Sequence, residues 1–270
     1  MARSIIKPSS LDLNALSYVI ALNGGGEITI YQLGGVSYRV HTFLASGTFT
    51  LIDAKNVDVL LVAGGGSGAA YSGNGNGGGG AGGMVVGTAV PFVAGTYAIT
   101  IGAGGSAVNT AAYGLQGGDS TIVHSSGTVT AKGGGGGHYG SILAQNNGGS
   151  GGGGGNNSTG TTTSTQTNQT LFSTTLTGFG NDQGPPPSGG YGAGGAGAGG
   201  AGGTAAQSPN PGGAGLANAF RTGSNITYAA GGNSANWPFD SDPNTGNGGG
   251  GSYSTSGAGG SGICVIRYVV

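Results

Sequence analysis

The segment Val59-Leu-Leu-Val-Ala-Gly64-Gly-Gly66-Ser-Gly-Ala69 reads as a strand followed by G-x-G-x-x-A, the way a dinucleotide-binding turn begins. That chemistry needs a helix directly after the turn, so that the helix N-terminus meets the pyrophosphate. Tyr71-Ser-Gly-Asn-Gly-Asn-Gly follows instead, which cannot be a helix, and no acidic residue stands at the expected distance in a second strand. The histidines are His41, His124 and His138, and none has a second His, Cys or carboxylate at metal-ligand spacing. His41 and His124 fall in strand patterns and read as structural. His138, between a glycine run and Tyr139, reads as a loop-tip contact residue. Asp240-Ser-Asp242-Pro-Asn244 starts like a calcium loop, but Thr245 and Gly251 stand where an EF-hand needs glycine and glutamate. A polar turn is the expectation, with a weak cation site as its alternative. No G-x-S-x-G elbow appears, and the carboxylates are scattered. The residues therefore predict no enzyme, no cofactor and no metal site.

Aromatic residues are more informative. Tyr139, Phe172, Phe179, Tyr191, Phe220, Tyr228, Trp237, Phe239 and Tyr253 lie among Ser, Gly and Asn, the composition of binding loops. The candidate contact residues are His138, Tyr139, Phe172, Phe179, Phe220, Tyr228, Trp237 and Phe239, on loops 138–147, 156–179 and 218–244. Flat aromatic faces suit sugar rings. The alternative is that the same side chains cap the structure and bury its ends.

Composition narrows the scaffold that must position them. Glycine supplies 69 of 270 residues, whereas charged residues are only 6 %. Collagen is excluded, because the glycines come in runs rather than every third residue and there are only 9 prolines. Disorder is disfavoured by 36 % apolar residues, a net charge of −1 and clear strand patterns at both ends. The few Lys and Arg form no basic stripe, which argues against nucleic acid. No apolar run is long enough to span a membrane, and the N-terminus lacks a signal peptide's apolar stretch and cleavage site. Cys264, alone, reads as a buried small hydrophobe.

Residues 17–22 and 27–33 read as a hairpin joined by Asn23-Gly-Gly-Gly26. Strands are expected over 36–43, 48–52, 57–63, 83–90 (closed by Pro91) and 96–101. A hairpin follows over 119–124 and 127–132, and a last strand over 263–270. This spacing predicts an all-β fold, a β-sandwich. Segment 57–63 looks buried on both faces, and the last strand should return to the sheet begun near Val36. The organisation expected is an N-terminal segment, 1–35, and a domain, 36–270, that carries a glycine-rich insert over 133–260.

Ordering glycine costs ~1–2 kcal/mol per residue or more, with no side-chain burial to offset it. Packed polyglycine-II helices answer this. They have three residues per turn and no internal hydrogen bonds, and without Cβ atoms they approach closely enough for each N–H to bond a neighbouring helix. Residues 133–260, with 64–83, are expected to form such a slab, in which 189–203 would run as one helix of about 45 Å at a rise of ~3.1 Å per residue.

Val40-His-Thr-Phe-Leu-Ala-Ser-Gly-Thr-Phe-Thr, Val57-Asp-Val-Leu-Leu-Val-Ala-Gly-Gly-Gly, Gly80-Ala-Gly-Gly-Met-Val-Val, Val93-Ala-Gly-Thr-Tyr-Ala-Ile-Thr-Ile-Gly-Ala-Gly-Gly and Gly262-Ile-Cys-Val-Ile-Arg-Tyr together resemble the glycine-rich domain of bacteriophage tail proteins, over roughly residues 37–268. The alternation of glycine runs and spacers resembles, more loosely, the distal long-tail-fibre adhesins of T-even-like phages. The resemblance implies a virion tail-fibre protein, assembled in the host cytoplasm, that attaches to the host cell surface through loops on a polyglycine-II slab. Residues 1–35 would then be the virion-attachment segment. The implied partners are other virion fibre or tail proteins and a host surface glycan or outer-membrane protein, with a homotrimer by analogy to phage fibres. The runner-up is a structural virion protein, fibre shaft or decoration, with no receptor role. An ice-binding face built on Thr161-Thr-Thr-Ser-Thr-Gln-Thr is a further alternative.

Overall fold

The computed structural model describes residues 24–270 except 74, 110, 156–157, 186–190, 204–208 and 235–238. The strands are β1 (Glu27–Leu33), β2 (Val36–Phe43), β3 (Gly47–Leu51), β4 (Lys55–Val62), β5 (Met84–Phe92), β6 (Gly95–Thr100), β7 (Ser120–His124), β8 (Gly127–Ala131), β9 (Gln169–Leu171), β10 (Thr174–Phe179), β11 (Leu216–Asn218), β12 (Ile226–Tyr228) and β13 (Ile263–Val269). A seven-stranded antiparallel sheet runs β1-β2-β13-β4-β5-β10-β9 and faces a four-stranded sheet, β3-β6-β7-β8. The expected sandwich is therefore present, and the fold is all-β.

Alternation along the strands builds its core. Val57, Val59 and Leu61 of β4 point inward with Phe49, Phe92, Tyr97, Ile122 and Cys264. Phe92 and Tyr97 stack at 4.5 Å, and Tyr97 donates its hydroxyl to the Val93 carbonyl at 2.8 Å. Burial pushes the Tyr97 phenol up to about 12. The intervening residues of β4, Leu60 and Val62, are also fully buried, in a second core on the sheet's outer face. Burial on both faces thus accounts for the continuous apolar run. β13 sits between β2 and β4, which closes the domain as its sequence position requires.

Three local features depart from the sequence reading. Proline does not close β5: the strand continues through Pro91 to Phe92, because β10 pairs β5 only over residues 84–86. Pro91 therefore has a partner on one side only, where a missing N–H is tolerated. A bulge precedes it, with Ala89 at φ 49 donating its N–H to the Asp58 carboxylate at 3.0 Å. Second, β1 pairs along its whole length with β2, through a turn at Gly34-Gly35; the other half of the expected N-terminal hairpin, 17–22, lies outside the described residues. Third, the glycine-rich insert supplies two strands of the large sheet, β9 and β10, and a separate hairpin, β11–β12, that covers its outer face.

The rest of the glycine-rich sequence forms straight runs that prolong the strands. Run 63–70 continues from β4, 77–83 leads into β5, 112–118 leads into β7, 132–138 continues from β8, and 257–262 leads into β13. Their hydrogen bonds repeat every three residues. The N–H groups of Gly64, Ser67 and Ala70 reach the carbonyls of Gly118, Leu115 and Ala112 at 2.9–3.1 Å. Those of Gly65 and Gly68 reach Gly260 and Gly257, and those of Gly66 and Ala69 reach Gly80 and Gly77. Its carbonyls accept from still other neighbours: Gly64 and Ser67 from Gly134 and Gly137, Gly65 from Gly105, and Gly66 and Ala69 from Gly249 and Ser252. One run is thus ringed by six segments, the arrangement expected of packed threefold polyglycine-II helices. A Cβ built on Gly65 would fall on the Asn247 carbonyl oxygen, and one on Gly79 on that of Gly66. Only glycine lets the runs come this close.

The single long helix expected over 189–203 does not form. The chain reverses at Gly197–Gly200, where the Gly197 N–H meets the Gly200 carbonyl at 2.8 Å, and Gly194 pairs back to Gly203. The neighbouring runs fix the slab's depth at seven or so residues. A longer helix would carry N–H groups beyond any partner.

Candidate binding face

Because the runs prolong strands, the slab has one end on the sandwich and one free end. At the free end, runs 63–70 and 112–118 close on each other through reciprocal 3.0 Å bonds between Ala70 and Ala112, while 132–138 ends beside them. The first aromatic residue beyond or at each end is a tyrosine. Tyr139 lies between Tyr71 and Tyr113, with centroids at 4.5 and 4.6 Å and interplanar angles of 6° and 23°. Its hydroxyl donates to the Ala111 carbonyl at 3.0 Å. Burial, and then the neighbouring Tyr113 and Tyr71, push its phenol up. Ser252 pairs with Ala69 and Tyr71, so Tyr253 belongs to the same end. Tyr191 is exposed there, next to Gly192, which packs on Asn76.

The sequences joining run ends at this face share one property. Among the described residues, segments 71–73, 75–76, 106–109, 139–142, 158–161 and 252–256 contain no Lys, Arg, Asp or Glu. They are made of Tyr, Asn, Ser, Thr and Gly, with Ala107, Val108 and Ile142. The face can stack and exchange neutral hydrogen bonds, but it has no charge to attract phosphate or carboxylate. Among the described residues, no group of three His, Cys, Asp or Glu side chains gathers as metal ligands.

The residues expected to make contacts fall in four places. Tyr139 and Phe239 are accessible, Tyr139 in the tyrosine stack and Phe239 at 62 % exposure on the slab's flank. His138 is not at a loop tip. It is the last residue of its run, fully buried, with neither ring nitrogen hydrogen-bonded among the described residues. Burial lowers its pKa to about 4, so the ring is neutral at pH 7. Phe172, Phe179, Phe220 and Tyr228 serve the sandwich. Phe172 forms the β9–β10 turn with Ser173, both at positive φ (48 and 62), and packs on Phe92 and His124. Phe179 joins the outer core, in which Tyr228 is fully buried. Phe220 lies 4.3 Å from the Arg267 guanidinium, which also bonds Asp58 at 2.8 Å and Tyr31 at 2.6 Å. Trp237 lies outside the described residues. For these four phenylalanine and tyrosine residues, capping rather than contact describes the geometry.

Tyr71 and Tyr113 escaped the sequence reading. Both lie outside the glycine-rich insert, far from Tyr139 in sequence. The signal was present: each stands at the end of a glycine run that a threefold packing aligns with the others.

A family model described as a glycine-rich domain matches residues 44–269. A search of curated proteins found no match.

Proposed function

The chain belongs to the glycine-rich domain family, and from that premise we propose that it is a virion fibre protein that attaches to the host cell surface through the free end of its slab. The observation that carries this is the uncharged face of stacked tyrosines, amides and hydroxyls held on a rigid backbone lattice. Tyrosine presents large contact area at little entropic cost, and Ser, Asn and Gly supply adaptable hydrogen bonds. Fixing such groups before contact lowers the cost of binding. The role is recognition and not catalysis. Residues 1–35 would join the protein to other virion fibre or tail proteins, and the partner at the free end is a host surface glycan or outer-membrane protein.

Labelled protein applied to a panel of bacterial strains tests the reading. Saturable binding to a few strains is expected, lost in Tyr71→Ser/Tyr139→Ser with the melting temperature nearly unchanged. Binding that survives this pair of changes places the contact elsewhere. Particles that incorporate the protein while it binds no strain, including the phage's own host, favour a shaft or decoration role.

A further inference from the structure

A second opening lies on the slab's flank, lined by none of Tyr71, Tyr113 and Tyr139. Run 229–234 forms one wall, segment 239–241 forms the other, and 247–250 forms the floor of a groove of 180 Å³. Its aromatic edge is Phe239, exposed at the side chain yet fixed at the backbone. The Phe239 carbonyl accepts the Gly250 N–H at 3.0 Å, and the Ser241 N–H donates to the Ala258 carbonyl at 3.0 Å. Ser241 also donates its hydroxyl to the Gly248 carbonyl at 2.8 Å.

Asn247 accepts the Ala230 N–H and Asn233 the Gly212 N–H through their side-chain oxygens, each at 2.8 Å. Their NH₂ groups are therefore what these asparagines can offer a ligand. Among the described residues no Lys or Arg lines the groove, and the one carboxylate there, Asp240, already accepts the Ala258 N–H at 2.8 Å. An anion would meet no cation here, and a cation would find a single committed carboxylate. A purely apolar ligand would leave the amides unpaired, at a cost. What fits is a neutral, flat-faced molecule with several hydroxyls.

We infer that this groove seats one neutral sugar ring of a saccharide, stacked on Phe239 and hydrogen-bonded by Asn233 and Asn247. Few polar groups beside an aromatic wall make a small-molecule site, and the negative face of the Phe239 ring attracts the polarised C–H groups of a pyranose. The biological use of the site rests on the attachment reading; the binding itself does not.

The test uses the full chain with glucose, galactose, N-acetylglucosamine and their short oligomers, followed by saturation-transfer NMR. Dissociation constants near ~1 mM are expected, as for a shallow site contacting one ring. Phe239→Ala should weaken binding at least about tenfold, a loss of ~1.4 kcal/mol, and Phe239→Trp should retain it. In the Tyr71→Ser/Tyr139→Ser background, which removes the tyrosine face, the Phe239-dependent binding should remain. Failure of every neutral saccharide to bind, equal binding by Phe239→Ala, or preference for an anionic sugar overturns the inference. If sugars fail while cells are still bound through the tyrosine face, the attachment reading stands without this site. If sugars bind while no cell does, the reverse holds.

Discussion

The sandwich and the slab are two solutions to the same problem within one chain. In the sandwich, side chains hold the backbone: Phe49, Leu61, Phe92 and Tyr97 are removed from water, and the strand ladders follow. In the slab, there are almost no side chains, and the backbone holds itself, each run ringed by others through N–H···O=C bonds of 2.7–3.3 Å. The first solution tolerates exchange among apolar residues of similar volume. The second tolerates nothing larger than hydrogen at its closest contacts, and at the free end it buries Asn76, Ser252 and Ser256 while leaving Tyr71, Tyr139 and Tyr253 partly exposed. A face of tyrosines can then be carried on a support held by its own backbone.

The sharpest way to break this comparison is to add atoms to the slab and remove them from the sandwich. Gly79→Val should have the largest effect. A Cβ there meets the Gly66 carbonyl, and the Gly79 carbonyl itself accepts the Gly232 N–H and lies against Gly195 and Gly248. A cost of at least ~3 kcal/mol, the upper range for overpacking, is expected in urea denaturation. Leu61→Ala in the sandwich should cost ~2–5 kcal/mol by the opposite route, through lost burial and a cavity. Amide exchange then separates the regions. In the parent, Gly66, Gly79 and Gly249 should exchange as slowly as the amides of β13. Fast exchange at these glycines beside slow exchange in β13 would mean that the slab is not the cooperative lattice described.

How much of this was legible follows from the same contrast. Strands announce themselves through side-chain alternation, so β2, β4, β6 and β13 could be read directly, and even the return of β13 to β2 could be expected. A glycine run announces only that it is a run. The reversal at Gly197–Gly200 left no mark, because no side chain distinguishes a turning glycine from a straight one. β9 and β10 hid among threonines whose outward faces, Thr170, Thr175 and Thr177, are exposed at the edge of the sheet. At the candidate face, Tyr139 was found and Tyr71 and Tyr113 were not, since what joins them is lattice register and not sequence distance. His138 was misplaced because its neighbours, Gly137 and Tyr139, look like a loop, whereas the Gly77 N–H reaches the His138 carbonyl and locks that residue into the lattice.

His138 also gives the comparison a pH dependence. Its folded pKa of about 4 lies below the ordinary 6.5 because burial disfavours the charged ring. Above pH 6.5 neither the folded nor the unfolded form is protonated, and the residue's contribution is fully present. As pH falls below 6.5 the unfolded chain takes up a proton that the native chain refuses, so stability falls until about pH 4 and then levels. The total loss is ~3 kcal/mol. His41 acts in the same direction, its pKa lowered first by burial, although its 2.9 Å bond to the Gly25 carbonyl opposes the shift. His138→Met should flatten much of the slope between pH 6.5 and 4, while neutral-pH stability changes by less than ~1.5 kcal/mol. An unchanged slope in this variant would assign the acid sensitivity to His41 and to the sandwich.

The smallest effect discriminates best between the two kinds of support. Lys132 and Asp119 form a 2.8 Å ion pair where β8 passes into its glycine run, with both side chains substantially exposed. A surface pair of this kind contributes ~0–1 kcal/mol, so Lys132→Ala should barely move the denaturation midpoint. Asp119 has a second task. Its other oxygen accepts the N–H of Gly133, a buried residue at the mouth of the slab, at 2.8 Å. Asp119→Ala leaves that N–H without its partner, which costs ~1–3 kcal/mol when water cannot replace it. The two variants remove the same ion pair, so the difference between them measures the backbone bond alone. If they prove equally mild, water reaches the Gly133 N–H, and the lattice begins further along the run, at Gly134 and its bond to Gly64.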